Sequence, residues 1–124
     1  MKALFAIGLV MVLPALAHHS FEAEYDDTKT ATITGIVTDV AWQNPHAYIF
    51  INTKTEGGGT LNMRLELGPP YALVRGGWKK ETVKIGDKVT VEGAAVAKDA
   101  KNHWVGSLQT TMMVLASGEK LPTR

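Results

Sequence analysis

The sequence predicts an all-β fold, a small OB-like Greek-key barrel of five strands with one short helix between strands three and four. Three observations carry that expectation. A long alternating run rich in β-branched residues extends from Thr30 to Trp42. Turn signals at Asn44-Pro45, Gly57 to Gly59, Gly86-Asp87 and residues 98–102 divide the remainder of the chain into strand-sized pieces. A helix-sized insert, opened by Pro69-Pro70 and closed by Gly76-Gly77, falls after the third strand. A plain β-sandwich has similar ingredients and is the competing architecture.

The first strand, Thr30 to Trp42, is long enough to serve both halves of a closed barrel, and Gly35 in its middle marks a bend or bulge. Gln43-Asn44-Pro45 makes a tight turn. The second strand, His46 to Asn52, is apolar on both faces at its centre, with His46, Tyr48 and Phe50 sharing one side by period two. Glu56 to Gly59 is a flexible hairpin tip. The chain returns as a third strand, Thr60 to Leu67, with Leu61, Met63, Leu65 and Leu67 on one face and Asn62, Arg64 and Glu66 on the other. Gly68-Pro69-Pro70 stops that strand, Tyr71 to Arg75 forms the helix, and Trp78 is expected to fold back onto the barrel. A turn at Lys84 to Asp87 feeds the fourth strand, Lys88 to Gly93, with Val89 and Val91 inward. The fifth strand is expected from about His103 to Leu115, followed by a turn at Ser117-Gly118 and a short polar tail.

The chain begins with Met1-Lys2, an apolar run from Ala3 to Leu13, then Pro14 and Ala15-Leu16-Ala17. That is the pattern of a cleaved signal peptide over residues 1–17: a short cationic start, an apolar stretch too short to span a bilayer, and an A-x-A cut site. A buried amphipathic helix is the alternative, but this stretch is apolar all round and ends on proline. Cutting after Ala17 leaves about 107 of the 124 residues, the usual size of one domain. Residues 18–29 are polar and acidic and read as an N-terminal strap, with only Phe21 and Tyr25 placed to meet at i,i+4 spacing. Residues 30–121 are the barrel.

Of the 13 Lys+Arg, Lys2 leaves with the signal, so the mature cations equal the 12 Asp+Glu. A chain without net charge lacks the cationic footprint of a nucleic-acid binder. There is no cysteine, so stability must come from packing, and any metal must be held by nitrogen or oxygen. No second apolar segment of spanning length occurs, which predicts a periplasmic or secreted product with no membrane span.

The four histidines, His18, His19, His46 and His103, are the candidate chemistry. Cleavage would give His18 a free α-amine beside its imidazole, and the amine and Nδ1 together can chelate one Cu(II) ion in a histidine brace. Amine and imidazole nitrogens in a tetragonal arrangement suit Cu(II), which also heads the divalent affinity order. An α-amine with a pKa of about 7.7–8.0 gives up its proton near neutrality at a cost of only about 1 kcal/mol. His46 is the candidate third nitrogen, His19 its competitor and His103 the weakest. The fourteen-residue step from His18 to Thr32, at about 3.4 Å each, reaches past the length of a small barrel. The competing explanation is that His18 and His19 are merely solvated and that His46 bonds a backbone carbonyl at a strand start. Spacings that make metal assignments specific, such as HExxH, are absent.

Other chemistries have less support. Ser20 follows His19 directly and no G-x-S-x-G elbow occurs, which leaves a serine hydrolase without a nucleophile site. Gly57 to Gly59 lacks the Lys-Ser/Thr of a phosphate loop. Glu22, Glu24, Asp26 and Asp27 form a run, not a spaced catalytic pair, and Lys79-Lys80 is too small a basic patch for nucleic acid. Trp42, Tyr48 and Trp104 could line a saccharide-binding groove, although such aromatics also serve as barrel-end plugs.

The sequence resembles a family of small exported bacterial proteins, domain-of-unknown-function family 6152. The resemblance is carried by His18-His19-Ser20-Phe21, Gly35-Ile36-Val37, Trp42 to His46, Gly68 to Trp78, and Ile85 to Gly93, and it covers essentially the whole mature chain. It implies a periplasmic OB-like domain and implies no activity. Arg75-Gly76 stands where the family often has paired arginines, and His103 lies outside the shared pattern. Together the residues predict a small periplasmic non-enzymatic binding protein that takes Cu(II) through His18, His19 or His46, in copper trafficking or tolerance. The alternative is a metal-free module that binds a saccharide or an envelope protein on the Trp42, Tyr48 and Trp104 face. A copper-dependent oxidase is a third possibility, since a brace leaves coordination positions open.

Overall fold

In a computed structural model, residues 21–124 are described. Residues 21–24 are helical and lead into β1 (Tyr25–Ala41), followed by β2 (Tyr48–Lys54), β3 (Thr60–Glu66), α1 (Pro70–Arg75), β4 (Lys88–Ala97), β5 (Trp104–Gly106), β6 (Met112–Val114) and β7 (Lys120–Pro122). The pairing order β1-β2-β3-β5-β4 closes on itself because β4 also pairs with β1, which makes the OB-like barrel and not the sandwich. Within the ring only β3 and β5 run parallel. The strands β6 and β7 extend the sheet from β4.

Closure depends on β1 pairing twice. Its first half, from Tyr25 to Ile36, lies along β4, and its second half, from Ile36 to Ala41, lies along β2. Irregularities in register fall on both sides of Gly35, where the strand bends from one neighbour to the other. Gly35 itself approaches β2 so closely that a Cβ there would meet the Asn52 carbonyl oxygen and stand 2.7 Å from Ile51 Cγ2. The inward positions alternate as period two requires: Ile33 and Val37, Ile49 and Ile51, Leu65, Val89 and Val91, Val105. Leu73 of α1 and Trp78 cover one end of this core, and the Trp78 indole N–H donates to Pro122 O at 2.7 Å.

Several boundaries differ from those expected. The first strand begins at Tyr25, inside the segment expected as a strap, because Tyr25 and Asp26 pair with Ala97 and Val96. The polar residues 27–29 hide this in the sequence by bulging out of register. The second strand starts at Tyr48, leaving His46 in the preceding loop, and β4 continues beyond Gly93 to Ala97. The expected single fifth strand is two. β5 ends at Gly106, and Thr111 holds the next turn, its hydroxyl accepting from Leu108 N at 2.7 Å and donating to Gly93 O at 2.8 Å. The expected polar tail is β7, with Leu121 and Thr123 buried. Among the described residues no helix is long and apolar enough to cross a membrane.

Candidate functional site

The outer face of β2, β3 and β5 carries the side chains with chemistry. Register places Tyr48 beside Glu66 and Glu66 beside Gly106, while Phe50, Arg64 and Trp104 form the next row. Since Gly106 has no side chain, the rings of Phe21 and Tyr25 rest on its backbone, and a Cβ there would stand 2.7 Å from a Phe21 ring carbon and 2.8 Å from a Tyr25 one. The two rings lie 4.8 Å apart, as their i,i+4 spacing predicts.

From that position the Tyr25 hydroxyl donates to Glu66 Oε2 at 2.8 Å and accepts from Arg64 Nη2 at 3.2 Å. The Arg64 guanidinium lies over Trp104 at 3.8 Å and over Tyr48 at 4.8 Å from the ring centres. Burial, followed by the hydrogen bond to Glu66, pushes the Tyr25 phenol far above the ordinary tyrosine range, so it stays a donor. Burial also raises Tyr48.

His46 enters from the β1–β2 loop. Ala47 anchors that loop to the end of β3, its N–H donating to Gly68 O at 3.2 Å and its carbonyl accepting from Leu67 N at 2.8 Å. His46 Nδ1 lies 3.0 Å from Leu67 O. A carbonyl only accepts, so Nδ1 carries the proton and a neutral ring has its lone pair on Nε2. That nitrogen stands 3.8 Å from Glu66 Oε1, beyond hydrogen-bond length. Both groups line a cleft of about 290 Å³, together with Phe21, Ser107 and Arg124. Ser107 Oγ is buried and has no hydrogen-bond partner among the described residues.

The predicted site residues are distributed unevenly. His18 and His19 lie outside the described residues, as does the expected signal peptide. His46 is in the cleft and does bond a backbone carbonyl, as the non-ligand explanation expects. The same bond is how metal-binding histidines are commonly oriented. Tyr48 and Trp104 meet around Arg64, whereas Trp42 packs against the main core and lines a separate cleft with Lys80, Lys84 and Ile85. His103 is exposed at the head of β5, where its carbonyl accepts from Arg64 N at 2.9 Å. Tyr25, Arg64, Glu66 and Ser107 were not singled out by sequence reasoning. Among the described residues no three His, Cys, Asp or Glu side chains form a metal cluster. His46 and Glu66 therefore supply at most part of a coordination sphere.

In comparison with known proteins, a family model described as a family of unknown function (DUF6152) matches residues 8–106. No curated protein and no solved structure matches the chain.

Proposed function

The chain belongs to the DUF6152 family, and we propose that it is exported to the periplasm, begins at His18 after cleavage, and binds one Cu(II) ion in copper trafficking or tolerance. The His18 amine and Nδ1 supply two nitrogens and His46 Nε2 supplies the third. The observation that carries this reading is the orientation of His46. Its Nδ1 is committed to Leu67 O, which leaves Nε2 for the cleft. Phe21, only three residues after His18, lines the same cleft. At about 3.4 Å per residue, His18 reaches roughly 10 Å from Phe21, enough to cover a cleft of this size.

The donor set suits the metal. Three nitrogens with the charge-neutral amine and imidazoles favour tetragonal Cu(II) over Mg(II) or Ca(II), which prefer oxygen. Chelation by two atoms of one residue keeps the ordering cost small, and the carbonyl bond holds the other imidazole in place before the metal arrives.

The test uses protein whose first residue, established by mass, is His18, titrated with Cu(II) and followed by electron paramagnetic resonance. One equivalent should bind with a tetragonal spectrum. Protein beginning Met-His18 and the His46→Gln variant should each bind at least tenfold more weakly. Equal affinity in all three proteins would end the brace proposal.

A further inference from the structure

The cleft beside Trp42 shares no residue with the one at His46 and has a different chemistry. We propose that, independently of any copper site, the surface formed by Trp42, Ile85 and the lysines around them docks the protein on a bilayer that contains anionic lipid.

Its frame is rigid. Trp78 and Val83 are buried in the core and hold the loop between them on the barrel. Within that loop Lys79 O accepts from Thr82 N at 3.0 Å. Lys84 O then accepts from Asp87 N at 3.0 Å, and Gly86, at a φ of 94°, takes the third position of a type II turn, which puts Ile85 at the corner. β1 clamps this turn twice, with Gly86 N donating to Val37 O at 2.8 Å and Val37 N donating to Asp87 O at 2.9 Å. Ile85 is therefore held 68% exposed at a position where turns ordinarily carry polar residues. Val40 and Trp42, both half-buried, line an open cleft of about 410 Å³ together with Ile85, Lys80 and Lys84.

Charge identifies the occupant. Lys79, Lys80, Lys84 and Lys88 are exposed, and none of them has an ion pair among the described residues. Glu81 and Asp87 share the segment, but the Asp87 carboxylate already accepts from Lys84 N at 2.9 Å. The acidic stretch at the start of β1 is too far away to offset the excess. Asp26 pairs with Val96, eight residues along β4 from Lys88, which is about 26 Å at 3.3 Å per residue and well beyond a Debye length of about 8 Å. All four cations are lysines. Protein interfaces favour arginine and are depleted in lysine, whereas clustered lysines suit the diffuse negative potential of lipid headgroups. Tryptophan is enriched where headgroups meet acyl chains. An aliphatic tip with neighbouring lysines thus combines the apolar and the electrostatic attraction that reversible membrane association uses.

The experiment sediments protein beginning at His18 with vesicles of phosphatidylglycerol and phosphatidylcholine in equal parts, and with vesicles of phosphatidylcholine alone. Binding and a blue shift of tryptophan fluorescence are expected with the first vesicles only, and raising the salt to about 0.5 M should weaken binding at least tenfold. Ile85→Ser should weaken it about tenfold, and the double variant Lys80→Gln/Lys84→Gln at least tenfold. Both change exposed side chains, so an unchanged urea midpoint checks that each is folded. The double variant Lys98→Gln/Lys101→Gln removes the same charge beyond the far end of β4 and should bind within about twofold of wild type. Absence of binding to the anionic vesicles, or equal weakening in both lysine pairs, would overturn the proposal. So would a dimer in sedimentation velocity that Ile85→Ser abolishes, because the surface would then belong to a second copy of the chain.

Discussion

Replacing Gly106 with alanine tests how the barrel and the site are joined. The added methyl would stand 2.7 Å from Phe21 Cε2 and 2.8 and 2.9 Å from two carbons of the Tyr25 ring. Carbon atoms pack at about 3.5–4.0 Å, so the rings must retreat by roughly 0.6–1.3 Å. Tyr25 is 1% exposed and cannot move freely. A retreat of that size carries its hydroxyl, now 2.8 Å from Glu66 Oε2, out of hydrogen-bond range. Overpacking costs about 1–3 kcal/mol and the lost part-buried hydrogen bond about 1–3 kcal/mol, for a combined loss of roughly 2–6 kcal/mol. Urea unfolding followed by tryptophan fluorescence reads the change as a lower midpoint at constant slope. Gly57→Ala is the control, since nothing lies within 4 Å of a Cβ there, and it should stay within about 0.5 kcal/mol of wild type. A Gly106→Ala protein as stable as the control would refute the close seating of both rings on β5.

Three further outcomes rest on the same geometry. Gly35→Ala places its methyl against the Asn52 carbonyl oxygen, which is backbone and cannot swing aside, so it should lose at least about 2–3 kcal/mol, and a fully stable variant would show that β1 does not pass so near β2. Trp78→Phe removes the 2.7 Å bond to Pro122 O from a residue 3% exposed, which should lower the urea midpoint by the equivalent of about 1–3 kcal/mol; no change would place β7 elsewhere. Tyr25 makes stability pH-dependent on the alkaline side. Its folded pKa is raised, first by burial, above the unfolded value of about 10, so its contribution is intact below pH 10 and falls as pH rises beyond that, when only the unfolded chain ionises. One of the three tyrosines should then show phenolate absorbance only on unfolding, and three phenolates in the folded protein would contradict the burial of Tyr25.

The sequence carried the barrel because closure leaves marks that local patterns can show. Residues 30–42 are too long for an ordinary strand, Gly35 interrupts them where a bend is needed, and Pro70 and Gly76-Gly77 bracket α1. The split after β5 left no such mark. The turn from Ser107 to Thr111 is held by a threonine hydroxyl reaching Gly93 O in another strand, and that bond exists only in three dimensions. Parity explains the partial success with the site. Counting by twos put Tyr48 and Phe50 on one side of the second strand, the side that meets Arg64, whereas Trp42 was assigned to that face from its place in the β1–β2 loop and lies in a different cleft. Arg64 and Glu66 were visible as the polar side of β3, where such residues ordinarily face water. What organises them is Tyr25, which sits in an acidic stretch with no strand periodicity.

The parallel pairing of β3 with β5 is the step that turns this polar face into a site. It sets Trp104 beside Arg64 and Gly106 beside Glu66. In an antiparallel pair those two neighbour relations could not both hold. The ring face then receives the guanidinium and the bare backbone receives Tyr25, which connects the two charges. The cleft consequently draws on the segment before β1, the loop before β2, the end of β3, the residue after β5 and the terminal Arg124, whose Nη1 donates to Ser107 O at 3.2 Å. Five stretches remote in sequence meet there only when the ring is closed. A ligand that binds this cleft therefore binds the closed barrel and not the open chain, so its binding free energy adds to folding stability through mass action.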